Sequence, residues 1–82
     1  MTATAIEFGP FRRLAYVLDD EINIGHLVCQ YLTACSYQAR QFSETQSFLT
    51  QVKTDPPRLV VIDLALGETD AVDVIGKLEI LK

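Results

Sequence analysis

The sequence predicts an α/β fold with a parallel sheet, and three features of its pattern indicate this. Two short apolar runs, Leu14–Leu18 and residues 59–62, each end at an aspartate, as is typical of strands buried on both faces. Between them, apolar residues recur at intervals of three and four, which is the helical period. Strand and helix therefore alternate as βαβαβα, an order that specifies parallel strands joined by right-handed crossovers.

The first predicted strand, Leu14–Leu18, stops abruptly at Asp19 and Asp20. The apolar spacing that follows predicts a first helix over residues 22–36. Residues Gln38–Phe42 are polar for a strand, so we expect a second strand at the edge of the sheet.

Two prolines separate the second predicted helix from the third strand. That helix places Phe48 and Val52 on its buried stripe, and it ends before Pro56-Pro57 because proline lacks an amide donor and disfavours helix in the preceding residue. Residues 59–62 are rich in β-branched side chains and predict the third strand, which ends at Asp63. A loop with a glycine and a last amphipathic helix complete the pattern.

Composition and charge exclude several classes of protein. A chain with 49% hydrophobic and 22% charged residues is typical of folded domains and unlike disordered ones. The net charge is −4 and the seven basic residues are scattered, which excludes direct nucleic-acid binding. No apolar stretch approaches the roughly 20 residues of a membrane helix, and the amino terminus does not resemble a secretory signal, so we expect a cytoplasmic protein.

The acidic residues are unevenly placed, and most of them follow the two apolar strands. If the strand order is 2-1-3, the first and third strands are neighbours, so Asp19, Asp20 and Asp63 share the crevice at their carboxyl ends. Converging carboxylates raise one another's pKa values unless a cation is present. Mg²⁺ is the ion we expect there, because one or two carboxylates with waters and a phosphate oxygen commonly hold it. The competing explanation for Asp19 and Asp20 is a helix amino terminus, where the macrodipole favours acids.

Two segments resemble the receiver domain of two-component response regulators. They are Leu18-Asp19-Asp20-Glu21 after the first strand, and Val60-Val61-Ile62-Asp63 with the loop Leu64-Ala65-Leu66-Gly67 after the third. The 43-residue step from Asp20 to Asp63 is similar to the spacing in that family, and the resemblance covers residues 13–82. It implies a flavodoxin-like receiver fold and a signalling protein that is not an enzyme.

The resemblance also implies roles for individual residues. Asp63 would accept a phosphoryl group from a sensor histidine kinase or a phosphotransfer protein, and an output domain would receive the signal. Asp20 would bind Mg²⁺ directly, Asp19 would bind it through water, and Ala65 would supply a backbone carbonyl. Chemically, a carboxylate attacks an in-line phosphoryl group while Mg²⁺ offsets the charge on its oxygens.

The chain departs from the family pattern in ways that define the expected domain. Receivers commonly have proline where Gly67 stands and glycine where Ala71 stands. Their switch Ser or Thr follows a fourth strand and their phosphate-binding Lys follows a fifth, and neither Lys77 nor Lys82 matches that role. We therefore expect residues 1–82 to form an incomplete receiver, βαβαβα with a three-stranded parallel sheet, behind an N-terminal extension over residues 1–12.

Two alternatives and two partners remain as hypotheses. A haloacid-dehalogenase-like phosphatase would need a second aspartate two residues after the nucleophile, where this chain has Ala65 after Asp63 or Glu21 after Asp19. A degenerate receiver that serves only as a dimerisation element stays open. Without strands four and five, the third strand would have an unpaired edge and an uncovered apolar face, which predicts a homodimer or a domain-swapped assembly. The segment 63–75 also resembles receivers fused to an EAL-type phosphodiesterase domain.

Overall fold

The computed structural model of this protein describes residues 3–9, 12–63 and 71–81. Within these residues it contains four strands and three helices, in the order ββαβαβα. The elements are β1 (Ala3–Glu7), β2 (Leu14–Leu18), α1 (Ile22–Ala34), β3 (Gln38–Phe42), α2 (Thr45–Thr54), β4 (Leu59–Asp63) and α3 (Ala71–Leu81).

The sheet has the order β1-β4-β2-β3 and is mixed. Strand β2 is parallel to both β3 and β4, whereas β1 is antiparallel to β4. The α/β class is confirmed, with three strands parallel as the alternation of elements predicts. The predicted count of three strands is wrong, because the N-terminal segment adds a fourth, antiparallel strand, and the order of the whole sheet therefore differs from 2-1-3. The three parallel strands keep the predicted neighbours, in the order β3-β2-β4.

Strand β1 lies against the edge of β4 that the sequence pattern predicts to be unpaired. Its register places Ala3 opposite Asp63 and Glu7 opposite Leu59, so β1 spans the whole length of β4. An edge strand presents unpaired amide and carbonyl groups, and pairing them with another segment of the chain satisfies their hydrogen bonds. The expectation of an unpaired edge at this strand is therefore wrong.

Helices cover the two faces of the sheet unequally. On one face, Tyr16, Ile62 and Val60 pack against Phe48 of α2 and Val74 of α3 in the larger apolar cluster. On the other face, the smaller cluster joins Ala15 and Val17 to Leu32 of α1. Alternate residues of β2 point to opposite faces, so both clusters draw on this strand, and all five of its residues are buried.

Helix α1 ends two residues earlier than its apolar spacing predicts. The last helical residue is Ala34, Cys35 follows as the cap, and Ser36 has a positive φ of 69° that takes the chain out of the helix. Cys29 and Cys35 are both free thiols. None of the helices in the described part of the chain is long and apolar enough to cross a membrane.

Candidate functional site

The carboxylates of Asp19, Asp20 and Asp63 come together at the carboxyl ends of two neighbouring strands. Leu18 of β2 pairs with Ile62 of β4, so the aspartates that follow these residues leave the same edge of the sheet. One carboxylate oxygen from each of the three lies within 4.8 Å of the others. The parallel register of β2 and β4 therefore brings these side chains together, as predicted.

Two hydrogen bonds hold Asp19 in a buried position at this edge. Its backbone amide donates to the carbonyl of Phe42 at 3.0 Å, which extends the β2–β3 pairing by one residue. Its Oδ1 accepts from the amide of Glu21 at 2.9 Å. The residue is only 4% exposed, whereas Asp20 is exposed and Asp63 is half-buried. The cluster thus runs from the protein interior to the solvent.

Burial raises the pKa of the Asp19 carboxyl above its ordinary value of 3.8. The hydrogen bond from the Glu21 amide acts in the opposite direction, because it stabilises the ionised form. The charge of Asp63, a hydrogen bond between the Asp63 and Asp19 side chains, and the charge of Asp20 raise the pKa further. The cluster therefore opposes the ionisation of its most buried member.

The helix-terminus explanation for Asp19 and Asp20 does not fit the start of α1. The residue in the N-cap position is Glu21, its side chain makes no capping hydrogen bond, and the first turn of α1 contains no acidic residue. Asp19 accepts from the amide of Glu21, which precedes the helix. The two aspartates thus belong to the loop between β2 and α1, and both place a carboxylate oxygen close to that of Asp63.

The donor set of this cluster suits a hard divalent cation. Carboxylate oxygens are the ligands that Mg²⁺ prefers, and it usually keeps several waters besides one or two of them. Burial contributes most to the raised pKa of Asp19, and a cation among the three carboxylates would offset the repulsion that adds to it. Ala65, whose carbonyl the resemblance implies as a further ligand, lies outside the described residues, as does Gly67.

A contact between β3 and α1 beside this cluster was not predicted from the sequence. The Nε2 atom of Gln41 donates to the carbonyl oxygen of Ile22 at 2.7 Å. The same side chain packs on Gly25, where a Cβ atom would lie 2.7 Å from the Gln41 Nε2. A glycine inside a helix lowers helix stability by about 1 kcal/mol relative to alanine, so Gly25 could have indicated close packing. No sequence pattern indicated a role for Gln41.

Comparison with curated proteins finds similarity to bacterial regulators. The chain is 37% identical over 54 residues to the transcriptional regulatory protein BaeR of Escherichia coli O6:H1, across 66% of this chain and 22% of that protein. It is 27% identical over 62 residues to the regulatory protein VirG of Agrobacterium fabrum, across 76% of this chain and 24% of that protein. The regulatory protein VirG of Rhizobium rhizogenes matches at 26% identity over 62 residues, 76% of this chain and 26% of the relative.

The chain thus spans about a quarter of the length of the curated relatives it matches. No protein-family model matches the sequence. No solved structure matches it either. BaeR and VirG are response regulators, which are signalling proteins, and the matches extend over about 54 to 62 residues of this chain. The resemblance to a response-regulator receiver domain, which the strand-end aspartates predict, is therefore confirmed.

Proposed function

We propose that this chain is the phosphoacceptor part of a two-component receiver, with Asp63 accepting a phosphoryl group in the presence of Mg²⁺. The observation that carries the proposal is the convergence of one carboxylate oxygen from each of Asp19, Asp20 and Asp63 within 4.8 Å. The similarity to response regulators supports the same role. The donor would be a sensor histidine kinase or a phosphotransfer protein, and the reaction would take place in the cytoplasm.

Asp63 is the acceptor in this proposal because of its position and its exposure. It is the last residue of β4 and is half-buried, so it is more accessible to a donor than the buried Asp19. An oxygen of this carboxylate attacks the phosphorus atom, the bond from phosphorus to the donor nitrogen breaks, and the imidazole leaves. Asp19 and Asp20 would hold Mg²⁺, which supplies charge neutralisation for the phosphoryl oxygens when it is bound.

The test is phosphorylation by a small donor. The folded chain is incubated with acetyl phosphate and Mg²⁺, and intact-mass spectrometry is expected to find one added phosphoryl group. Asp63→Asn removes the acceptor oxygen and should abolish the addition. Asp73→Asn is the matched control, because Asp73 is an exposed acid on α3 that pairs with Lys77 at 3.2 Å. An unmodified wild-type chain, or equal labelling of Asp63→Asn, would contradict the proposal.

A second candidate function, association without phosphorylation, is supported by an open groove on the α1 face of the sheet. The groove has a volume of about 500 Å³, and none of the described residues that line it is charged. Its floor and walls are apolar: Ala5, Leu59 and Val61 from the sheet, and Leu27, Val28 and Tyr31 from α1. Strand β1 already pairs with the edge of β4, so the predicted homodimer or domain-swapped assembly would have to form through this apolar face.

We infer that the occupant of this groove is a second copy of the chain. Tyr31 and Leu27 project from its wall and are 69% and 60% exposed. A two-fold axis would place these side chains of each copy in the groove of the other, which is the self-complementarity that such an interface requires. The EAL-type output domain gains no support from the relatives, whose names describe regulatory proteins.

Sedimentation velocity tests the association. The wild-type chain is expected to sediment as a dimer and Tyr31→Lys as a monomer. Val72→Lys is the control, because Val72 is also apolar and is 72% exposed, but it lies on α3 across the sheet. A wild-type monomer at moderate concentration would refute the second function and leave the phosphoacceptor proposal unchanged.

A further inference from the structure

The loop that carries Asp20 is attached to β3 on both sides. Before Asp20, the amide of Asp19 donates to the carbonyl of Phe42 at 3.0 Å. After it, the carbonyl of Ile22 accepts from the side chain of Gln41 at 2.7 Å. Gln41 and Phe42 are adjacent residues of β3, so one end of this strand sets both attachment points of the four-residue segment 19–22.

The second attachment depends on a close approach that only glycine allows. Gly25 is buried in α1, and a Cβ atom there would lie 2.7 Å from Nε2 and 3.1 Å from the Cδ atom of Gln41. The glutamine side chain therefore lies flat against the first turns of the helix while its Nε2 reaches the Ile22 carbonyl. A larger residue at position 25 would push this amide away from its acceptor.

The amide of Glu21 donates to Asp19 at 2.9 Å, but the start of α1 has no capping side chain. Its N-cap residue, Glu21, makes no side-chain capping hydrogen bond. A helix terminus without a capping side chain has amide groups that must find other partners, and its first turn frays more readily. The Gln41 side chain donates to a carbonyl and so satisfies none of these amides, but it ties the first helical residue to the sheet where the helix must be aligned with the carboxylates.

We propose that Gln41 is a positioning residue for the cation site, and that it acts by holding the start of α1, and with it Asp20, in register with Asp19 and Asp63. Gly25 takes part by leaving room for the glutamine amide. This inference rests on the proposed function, because the site that it positions is the Mg²⁺ site of that proposal. Gln41 itself is not a ligand in this proposal.

The experiment measures Mg²⁺ affinity in variants that remove the hydrogen bond without changing charge. Gln41→Met keeps the length of the side chain and loses the donor, and we expect Mg²⁺ binding, followed by tyrosine fluorescence or isothermal calorimetry, to weaken about tenfold. Gln38→Met is the matched control, because it is an exposed glutamine at the other end of β3. Unchanged affinity in Gln41→Met, or an equal loss in Gln38→Met, would overturn the inference.

Gly25→Ala disturbs the Gln41–Ile22 hydrogen bond from the helix side of the contact. The added methyl group displaces the glutamine amide, while alanine favours the helix by about 1 kcal/mol, so this variant is expected to fold. If both residues act through one hydrogen bond, the double variant with Gln41→Met will lose no more affinity than either single variant. Losses that add would show two independent effects and would contradict the proposed mechanism.

A metal-free measurement separates this inference from the proposed function. In ¹H–¹⁵N spectra recorded with chelator, the Asp20 and Glu21 amides of Gln41→Met should shift or broaden, whereas those of Gln38→Met should not. If the wild-type chain does not bind Mg²⁺, the metal site is refuted. The metal-free amide signals would then test on their own whether Gln41 positions the loop. Unperturbed Asp20 and Glu21 amides in Gln41→Met would refute the positioning role.

Discussion

The two ends of the parallel strands differ in how their charged groups are partnered. At the amino ends, Arg12 lies 2.6 Å from the carboxylate of Asp55, and the hydroxyl of Tyr16 donates to the Asp55 carbonyl at 2.6 Å. We call these three residues the paired end. At the carboxyl ends, Asp19, Asp20 and Asp63 bring three carboxylates together, with one oxygen of each within 4.8 Å of the others. We call these three aspartates the acid end.

The difference indicates which end serves stability and which serves a ligand. At the paired end the polar groups satisfy one another, and Arg13 beside it stacks over Tyr37 at 4.1 Å and donates to the Cys35 carbonyl. At the acid end the most buried carboxyl has a raised pKa, which means that its ionised form is disfavoured in the absence of a cation. Four predictions test this contrast, from the largest expected effect to the smallest.

Mg²⁺ should stabilise the chain through the acid end. A ligand that binds only the folded state at 100 times its dissociation constant raises the unfolding free energy by about 2.7 kcal/mol. Asp20→Asn should lose most of this gain, since Asp20 is a proposed ligand, whereas Asp55→Asn at the paired end should keep it. Thermal denaturation with Mg²⁺ and with chelator measures the effect, and an equal Mg²⁺ response in both variants would contradict the contrast.

Tyr16→Phe should destabilise the paired end by about 1–2 kcal/mol, because it leaves the Asp55 carbonyl without its hydrogen bond. The Tyr16 ring is fully buried and packs edge-to-face on Phe42 with centroids 5.3 Å apart, and phenylalanine keeps that contact. Urea denaturation measures the loss. Tyr31→Phe is the control, since Tyr31 is 69% exposed, and a similar loss there would show that the effect is not specific to the hydrogen bond.

Asp19→Asn should stabilise the metal-free chain at neutral pH, on the order of 1 kcal/mol. The folded pKa of Asp19 is raised above 3.8, so the folded state binds this proton more tightly than the unfolded chain. Stability therefore falls as the pH rises from about 3.8 through the folded pKa, and the variant removes this fall.

The check for Asp19→Asn is a pH series of thermal denaturation in chelator. The difference in Tm between variant and wild type should grow from pH 3 toward pH 7, and a change of about 1 kcal/mol corresponds to roughly 4–8 °C in a domain of this size. Asparagine can still accept from the Glu21 amide, so that hydrogen bond is retained. A variant that is less stable at neutral pH would show that the acid end is not under electrostatic strain.

Arg12→Ala should have the smallest effect, below about 1 kcal/mol, because exposed ion pairs contribute little. The side chains of Arg12 and Asp55 are 65% and 40% exposed. High salt should reduce whatever difference remains, since salt screens surface charges. A loss larger than that of Tyr16→Phe in the same urea measurement would mean that the ion pair, and not the tyrosine hydroxyl, carries the paired end.

The site was more predictable from the sequence than the sheet was. Asp19 and Asp63 each follow a run of apolar residues, and parallel strands bring the residues that follow them to one edge. Strand β1 gave no such signal, because Ala3–Glu7 contains two alanines and one threonine and lacks the apolar alternation of a typical strand. Its pairing depends on an open edge of β4, which is a property of the assembled sheet.

The sequence by itself determined the alternation of parallel strands and helices and the buried side of α2 around Phe48. It also determined which three aspartates meet at one edge, because periodicity and strand ends are local properties. The tertiary structure alone decided that residues 3–7 add an antiparallel strand and that Gln41 reaches the Ile22 carbonyl over Gly25. These contacts join segments up to 60 residues apart along the chain, and their formation depends on hydrogen-bond groups and space that exist only once the sheet has assembled.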